Sequence, residues 1–182
     1  PPLPRSIFFL MIGRQIILTF LPYTSIEGDI SSSSIAIAGT TQNGGDIILT
    51  ADGDITIEGD GESSTISSRS RTNGNSGNGG LIKLETLDGN IAVNNGGLNS
   101  QSLSGSNGDA NTGGQIILRS SNDLEIEGDI NSSSIAIAGT TQNGGDITLA
   151  ADGVLTIEGD GESRTITSTS ISFGNAGAGK YG

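Results

Sequence analysis

The chain has no cysteine and no histidine. These absences remove disulfide frameworks, thiolate and imidazole metal sites, and every nucleophile built on a Ser–His or Cys–His pair. Tryptophan is missing as well, and aromatic residues are 3% of the sequence. All six of them, Phe8, Phe9, Phe20, Tyr23, Phe173 and Tyr181, lie outside the regular part of the repeats. Without aromatic bulk, any core must be stacked from Ile, Leu, Val and Ala. Basic residues are few: eight against 20 acids, a net charge of −12, with every acid at Glu27 or later. Nucleic acid and anionic membrane surfaces are therefore poor partners. Long apolar runs are absent too. Ile7 to Ile12 is broken by Arg14-Gln15, short of the roughly 18 residues a membrane helix needs and of a signal-peptide core. Low hydrophobicity with high charge also describes disorder, but the strict spacing of Ile and Leu argues against it.

Glycine is abundant, 30 of 182 residues, and its pairs mark a repeat. Gly44-Gly45-Asp46-Ile47-Ile48-Leu49 returns as Gly79-Gly80-Leu81-Ile82-Lys83-Leu84, Gly113-Gly114-Gln115-Ile116-Ile117-Leu118 and Gly144-Gly145-Asp146-Ile147-Thr148-Leu149. A degraded copy begins at Gly13. The steps between the first glycines are 31, 35, 34 and 31 residues, a period that signals a solenoid. Shifted by 100, residues 26–70 match 126–170 at 37 of 45 positions, so three small repeats were duplicated as a block. The match fails over 19–25. Residues 1–12, read as an irregular N-terminal segment, and 19–25 are thus either a corrupted, frame-shifted repeat copy or, for 1–12, an apolar cap. Residues 13–182 read as one repeat domain.

Apolar residues alternate within each repeat, the signature of half-buried strands. The first strand supplies inward columns Ile16/Ile47/Ile82/Ile116/Ile147 and Leu18/Leu49/Leu84/Leu118/Leu149. The second supplies Ile55/Ile57, Ile91/Val93, Leu124/Ile126 and Leu155/Ile157. A third, shorter strand is centred on Ile35-Ala36-Ile37, Ile66, Leu103, Ile135-Ala136-Ile137 and Ile166. The expected fold is all-β with essentially no helix: a right-handed parallel β-helix of about five rungs, each of three short strands and each about 4.8 Å from the next. The Gly-Gly pair would supply a corner needing positive φ or close backbone approach. Asn43, Asn78 and Asn143 precede three of the pairs and suggest an internal side-chain ladder, interrupted by Thr112. Ser/Thr runs over 65–71 and 165–170 are read as an outward hydroxyl surface.

Without His or Cys, the remaining chemistry is carboxylate. Glu27, Asp29, Glu58, Asp60, Glu127, Asp129, Glu158 and Asp160 recur at the corner after the second strand, with Asn94-Asn95 in the middle rung. Like charges about 5 Å apart repel, and Ca²⁺ would relieve this through oxygen ligands. The Gly-Gly-x-Gly-x-Asp nonapeptide of calcium β-rolls does not occur here. These acids are therefore weak calcium candidates beside the simpler reading of hydrated acidic turns. A polysaccharide lyase or hydrolase would use a unique carboxylate pair with sugar contacts; here the acids repeat and the bases Arg69, Arg71, Lys83, Arg119 and Arg164 are scattered. No catalytic or cofactor-binding residue is assigned.

The repeat Asn-Gly-Gly-Asp-Ile-x-Leu-x-Ala-Asp-Gly-x-Ile/Leu-Thr-Ile-Glu-Gly-Asp, at 43–60 and 143–160, resembles the repeats of filamentous-haemagglutinin-like exoproteins, especially the Gly/Ser/Asn-rich kind of cyanobacteria and other Gram-negative bacteria. The resemblance covers about 13–173. It implies a β-helical passenger fragment exported through an outer-membrane transporter by two-partner secretion. Such a passenger acts outside the cell, in adhesion to a host or neighbouring-cell surface through carbohydrate or protein, or in aggregation. Enzymatic activity is not expected; a carbohydrate-active β-helix enzyme and a passive spacer are the alternatives. The open ends of the stack expose β edges through which copies would self-associate.

Overall fold

The structure is a computed structural model that describes residues 6–12, 15–21, 23–59, 66–105, 108–158 and 165–173. Among them there is no helix. The chain opens with β1 (Ser6–Ile12) and then winds through five rungs of four strands each. The first rung holds β2 (Gln15–Leu21), β3 (Thr24–Glu27), β4 (Ile30–Ser31) and β5 (Ser34–Ile35). The second holds β6 (Ile47–Ala51), β7 (Ile55–Glu58), β8 (Ile66–Ser67) and β9 (Ser70–Thr72). The third holds β10 (Leu81–Thr86), β11 (Ile91–Asn94), β12 (Leu98–Asn99) and β13 (Ser102–Ser104). The fourth holds β14 (Gln115–Ser120), β15 (Leu124–Glu127), β16 (Ile130–Asn131) and β17 (Ser134–Ala136). The fifth holds β18 (Ile147–Ala151), β19 (Leu155–Glu158), β20 (Ile166–Thr167) and β21 (Ser170–Ser172). Equivalent strands pair in parallel across rungs to give four sheets. Each 31–35-residue repeat is therefore one turn of a parallel β-solenoid.

The expected columns stand above one another. Ile16, Ile47, Ile82, Ile116 and Ile147 are partners in successive pairings, as are Leu18, Leu49, Leu84, Leu118 and Leu149. In the three middle rungs these residues have no exposed surface. The second sheet stacks Ile55, Ile91, Leu124 and Leu155 in one column and Ile57, Val93, Ile126 and Ile157 in the next. An isolated rung would leave this apolar face wet, so stability comes from contact between neighbours.

Two expectations need correction. Three strands per rung is too few, because the third column mixes two sheets. Ile66 aligns with Ile30, Leu98, Ile130 and Ile166, whereas Ile35 aligns with Arg71, Leu103, Ile135 and Ile171. The third sheet is two residues wide and offers one inward position per rung, a signal weaker than the neighbouring Ile-Ala-Ile. The segment over 1–12 is not wholly irregular either. Ser6–Ile12 is a strand, paired antiparallel to β2 from Ser6↔Leu21 to Ile12↔Gln15.

The fourth sheet inverts the usual pattern. Ser34, Ser70, Ser102 and Ser134 face inward and are buried, while Ile35 is 66% exposed. The alternation simply continues from the third sheet: Ile66, Ser68, Ser70 and Thr72 all point in, and the backbone ladder runs on through Ser68 N–H to Asn99 O (2.8 Å) and Ser70 N–H to Gln101 O (2.9 Å). Over the described residues 66–71 the run is therefore not an outward hydroxyl surface, and Thr65 lies outside the described residues. Ser68 and Ser70 are interior residues, and Arg69 and Arg71 are the outward ones.

The serines divide the interior. Ser68, Ser100, Ser132 and Ser168 donate their hydroxyls to the carbonyls of Gly45, Gly80, Gly114 and Gly145 on the opposite wall. In return Gly80 N–H donates to Ser68 O (3.1 Å), Gly114 N–H to Ser100 O (2.9 Å) and Gly145 N–H to Ser132 O (2.7 Å). This waist is one hydrogen bond thick. On one side lies the aliphatic lobe of the first three sheets. On the other lies a narrow lobe walled by the fourth sheet and the bridge column Ser76↔Ala110↔Thr141. Its lining is hydroxyl-rich: Thr41 and Ser70 share a bond of 2.7 Å, as do Ser76 and Ser102.

The waist explains the glycine pairs. A Cβ on Gly80 would lie 2.2 Å from Ser68 Oγ and 2.3 Å from Gly45 O, and on Gly114 1.8 Å from Ser100 Oγ. Close approach is what these positions require; neither has positive φ.

Candidate functional site

Two surfaces collect the residues that the sequence singles out. The first is the acidic corner. Glu27 and Glu58 are neighbours in register, and so are Glu127 and Glu158, with Asn94 standing between the two pairs. At the rung spacing of about 4.8 Å each pair is a like-charge contact. The structure softens both. Asn94 Nδ2 donates to Glu58 Oε1 at 2.7 Å, and Asn95 N–H, at φ 55°, donates to Glu127 Oε2 at 3.2 Å. Asp129 Oδ1 accepts from Thr165 N–H (2.9 Å). Asp29 is exposed on the same corner, and Asp60 and Asp160 lie outside the described residues. Among the described residues no three acidic side chains gather closely enough to share a cation.

The same device recurs at other corners. Asp54 Oδ1 accepts from Asn90 N–H (2.8 Å), Asn90 Oδ1 from Asp123 N–H (3.1 Å), and Asp123 Oδ1 from Val154 N–H (2.8 Å). Elsewhere Asn75 Oδ1 accepts from Asp109 N–H (2.9 Å), and Asp109 Oδ1 from Thr140 N–H and its hydroxyl (2.8 Å each). The backbone N–H of Thr140, with its hydroxyl second, holds the Asp109 carboxyl below the usual carboxylate range. Where the chain turns and strand pairing lapses, an Asp or Asn side chain on one rung caps a backbone N–H on the next. Asp54, Asp109 and Asp123, and among the corner acids Glu58, Glu127 and Asp129, are structural acceptors with a partner on a neighbouring rung. Spacing alone could not reveal this, because the partner lies one repeat away.

The second surface is the outer side of the waist. A groove of roughly 490 Å³ runs along the Gly-Gly corners of four rungs. Its floor is glycine backbone, one lip carries Asn43, Asn78, Thr112 and Asn143, and the other carries Asp46, Leu81, Gln115 and Asp146. The asparagine ladder is thus outside the core, correcting the expectation of an internal stack. Asn43 and Asn143 are exposed, and Asn43 Oδ1 accepts from Asn78 N–H at 2.9 Å. Asp46 is engaged by Gln15 Nε2 (2.8 Å) and Leu81 N–H (3.2 Å). Asp46 and Asp146 stand three rungs apart, about 14 Å. Paired glycosidase carboxylates stand roughly 5–9.5 Å apart, so these two cannot act as such a pair. None of the corner acids lines the groove.

Sequence reasoning missed the waist serines. Their signal was present, since Ser32, Ser68, Ser100, Ser132 and Ser168 recur at nearly the repeat period, but serine carries no hydropathy signature of burial. Compared with known proteins, the chain matches no family model, no curated protein and no solved structure.

Proposed function

We propose that this chain is a non-enzymatic extracellular solenoid, a passenger segment of a haemagglutinin-like exoprotein that acts by presenting surface for adhesion or aggregation. The observation that carries the reading is the use made of the recurring polar residues. Serines close the waist, glycines admit them, and Asp and Asn side chains cap backbone on the adjacent rung. The outward columns are left to vary: Ile17, Ile48, Lys83, Ile117 and Thr148 on the first sheet, Ser25, Thr56, Ala92, Glu125 and Thr156 on the second. A scaffold with fixed interior and free exterior suits display. The separation of Asp46 and Asp146 weighs against a carbohydrate-cleaving reading of the groove.

Beads coated with the folded chain should adhere to bacterial or host cells more than beads coated with the same chain after heat denaturation. Equal, background-level binding by both would leave a passive spacer and overturn the adhesive role. Export in the native cell should depend on an outer-membrane transporter; secretion undiminished by its deletion would reject the two-partner route.

A further inference from the structure

We propose that the crease behind the waist serines binds a glycan ending in one carboxylate-bearing sugar. Arg69 holds the carboxylate, and Asn99 and Asn131 hold the neutral sugars that follow. This rests on the adhesive reading above and names the chemistry of its ligand.

The waist has two outer sides. The Gly-Gly groove runs along one, and the bend from the third sheet into the fourth runs along the other. At that bend, the alternation that sends Ser68, Ser100 and Ser132 inward sends Ser67, Arg69, Asn99, Gln101, Asn131 and Ser133 outward. Outward residues on a convex wall are wet, yet Ser67, Gln101 and Ser133 are only 6%, 9% and 1% exposed. The wall is therefore re-entrant here, a polar crease along the axis. Among the described residues, the buried side-chain polar atoms without a hydrogen-bond partner are Arg69 Nε, Asn99 Oδ1 and Asn131 Oδ1. All three belong to this crease. Buried polar atoms are nearly always paired, and an unpaired one is destabilising. Three gathered in one place mark a site whose ligand completes them.

The unpaired atoms specify what the ligand offers. Arg69 Nε is a charged donor, and the ion pair among the described residues is Lys83–Glu85, so no described carboxylate neutralises Arg69. A guanidinium takes a carboxylate through paired, charge-assisted bonds. The two asparagine oxygens are acceptors. Sugar hydroxyls supply the donors they need, and a second carboxylate does not. Asn99 and Asn131 are partners in register, and Asn99 also partners Ser67, two residues before Arg69. The three atoms thus climb the second, third and fourth rungs, a span of about 10 Å. That length suits linked sugar rings rather than a single small anion. No acid occurs over 30–37, 66–72, 98–104, 130–137 or 166–173, the segments that form these two sheets. An anion approaching a chain of net charge −12 meets least opposition on this wall. A peptide carboxylate fits less well: extended peptides are held by sheet edges and side-chain pockets, and none of the outward residues of the crease is apolar.

NMR titration of the full chain with sialyllactose, which carries one carboxylate on its terminal sugar, tests this. Lactose, its neutral counterpart, should bind roughly tenfold more weakly or worse. Arg69→Met keeps the aliphatic stem and removes an unpaired buried donor. It should bring sialyllactose down to the lactose level without lowering the melting temperature. Asn131→Ala should weaken both sugars, and Arg71→Gln, exposed on the fourth sheet, should bind as the wild type does. No binding of sialyllactose overturns the proposal, as does equal binding by lactose or by the Arg69→Met variant. Tighter binding of trigalacturonate would make the crease a polyanion site, and tighter binding of triglycine a peptide site; either rejects the assignment. If sialyllactose fails to bind while coated beads still adhere to cells, the ligand is wrong and the adhesive role stands. Binding without bead adhesion leaves the ligand site and removes the role.

Discussion

The hydroxyl of Ser100 donates to the carbonyl oxygen of Gly80 across the interior of the solenoid, and Gly114 N–H returns a bond to Ser100 O at 2.9 Å. Gly80 O also accepts from Gln115 N–H at 3.1 Å. Ser100→Ala therefore leaves that carbonyl with one partner, and the cost should be about 1 kcal/mol. Ser100→Val, which forces extra carbon between two backbones, should cost more, about 1–3 kcal/mol. Urea unfolding of the two variants checks the order; a valine variant as stable as alanine would show that the waist has room.

Gly114→Ala places a methyl 1.8 Å from Ser100 Oγ and 2.1 Å from Gly80 O. Backbone must move, so a loss of about 3 kcal/mol or failure to fold is expected. The Ser100→Ala/Gly114→Ala double variant should recover part of the loss, because one of the two clashing atoms is gone. Strictly additive losses would contradict the contact.

Ile116 and Ile117 are adjacent but face opposite ways, buried and half-buried. Ile116→Asp puts an unpaired charge within a stack of isoleucines and should cost several kcal/mol. Ile117→Asp should change stability by about 0.5–1 kcal/mol at most, being on the outward column. Thermal melts of the pair measure the difference, and similar values would refute the assigned faces.

Acid should weaken the corner caps. Asp109 has its folded-state pKa depressed, so its contribution is present above the unfolded value and fades as pH falls below about 4. Asp109→Asn should remove that part of the acid dependence while keeping an acceptor for Thr140 N–H. Melting temperatures of variant and wild type that fall in parallel between pH 5 and pH 3 (roughly the titration range of a carboxylate) would show that the Thr140 bonds do not matter.

Calcium tests the remaining use of the corner acids. With Glu58 held by Asn94 and Asp129 by Thr165, millimolar Ca²⁺ at moderate salt should leave the melting temperature unchanged. A clear rise, reversed by chelator, would establish a cation site among Glu27, Glu58, Glu127 and Glu158.

Much of this fold can be read from the sequence for one reason: the Gly-Gly pair and the Ile-x-Leu that follows fall at the same phase of every turn, so the Ile47 and Leu49 columns and the one-turn repeat follow from spacing. The third and fourth sheets do not follow. A two-residue strand such as Ile66–Ser67 presents a single inward side chain, and a pattern rule needs at least two. Ser-Ile-Ala-Ile then invites the inference that isoleucine is inside, which fails because the lobe behind it is narrow and held by hydroxyls. The caps were hidden differently: Asp54 and Asn90 are 36 residues apart and look like ordinary turn residues until the rungs are stacked.

The waist has a mechanical consequence. Two lobes that meet along a line of single hydrogen bonds make a cross-section pinched at the waist rather than round. Bending stiffness rises steeply with thickness in the direction of the bend, so the pinched waist should flex towards the face that carries the groove more readily than sideways. Any load carried along it would be borne with a preferred direction of give.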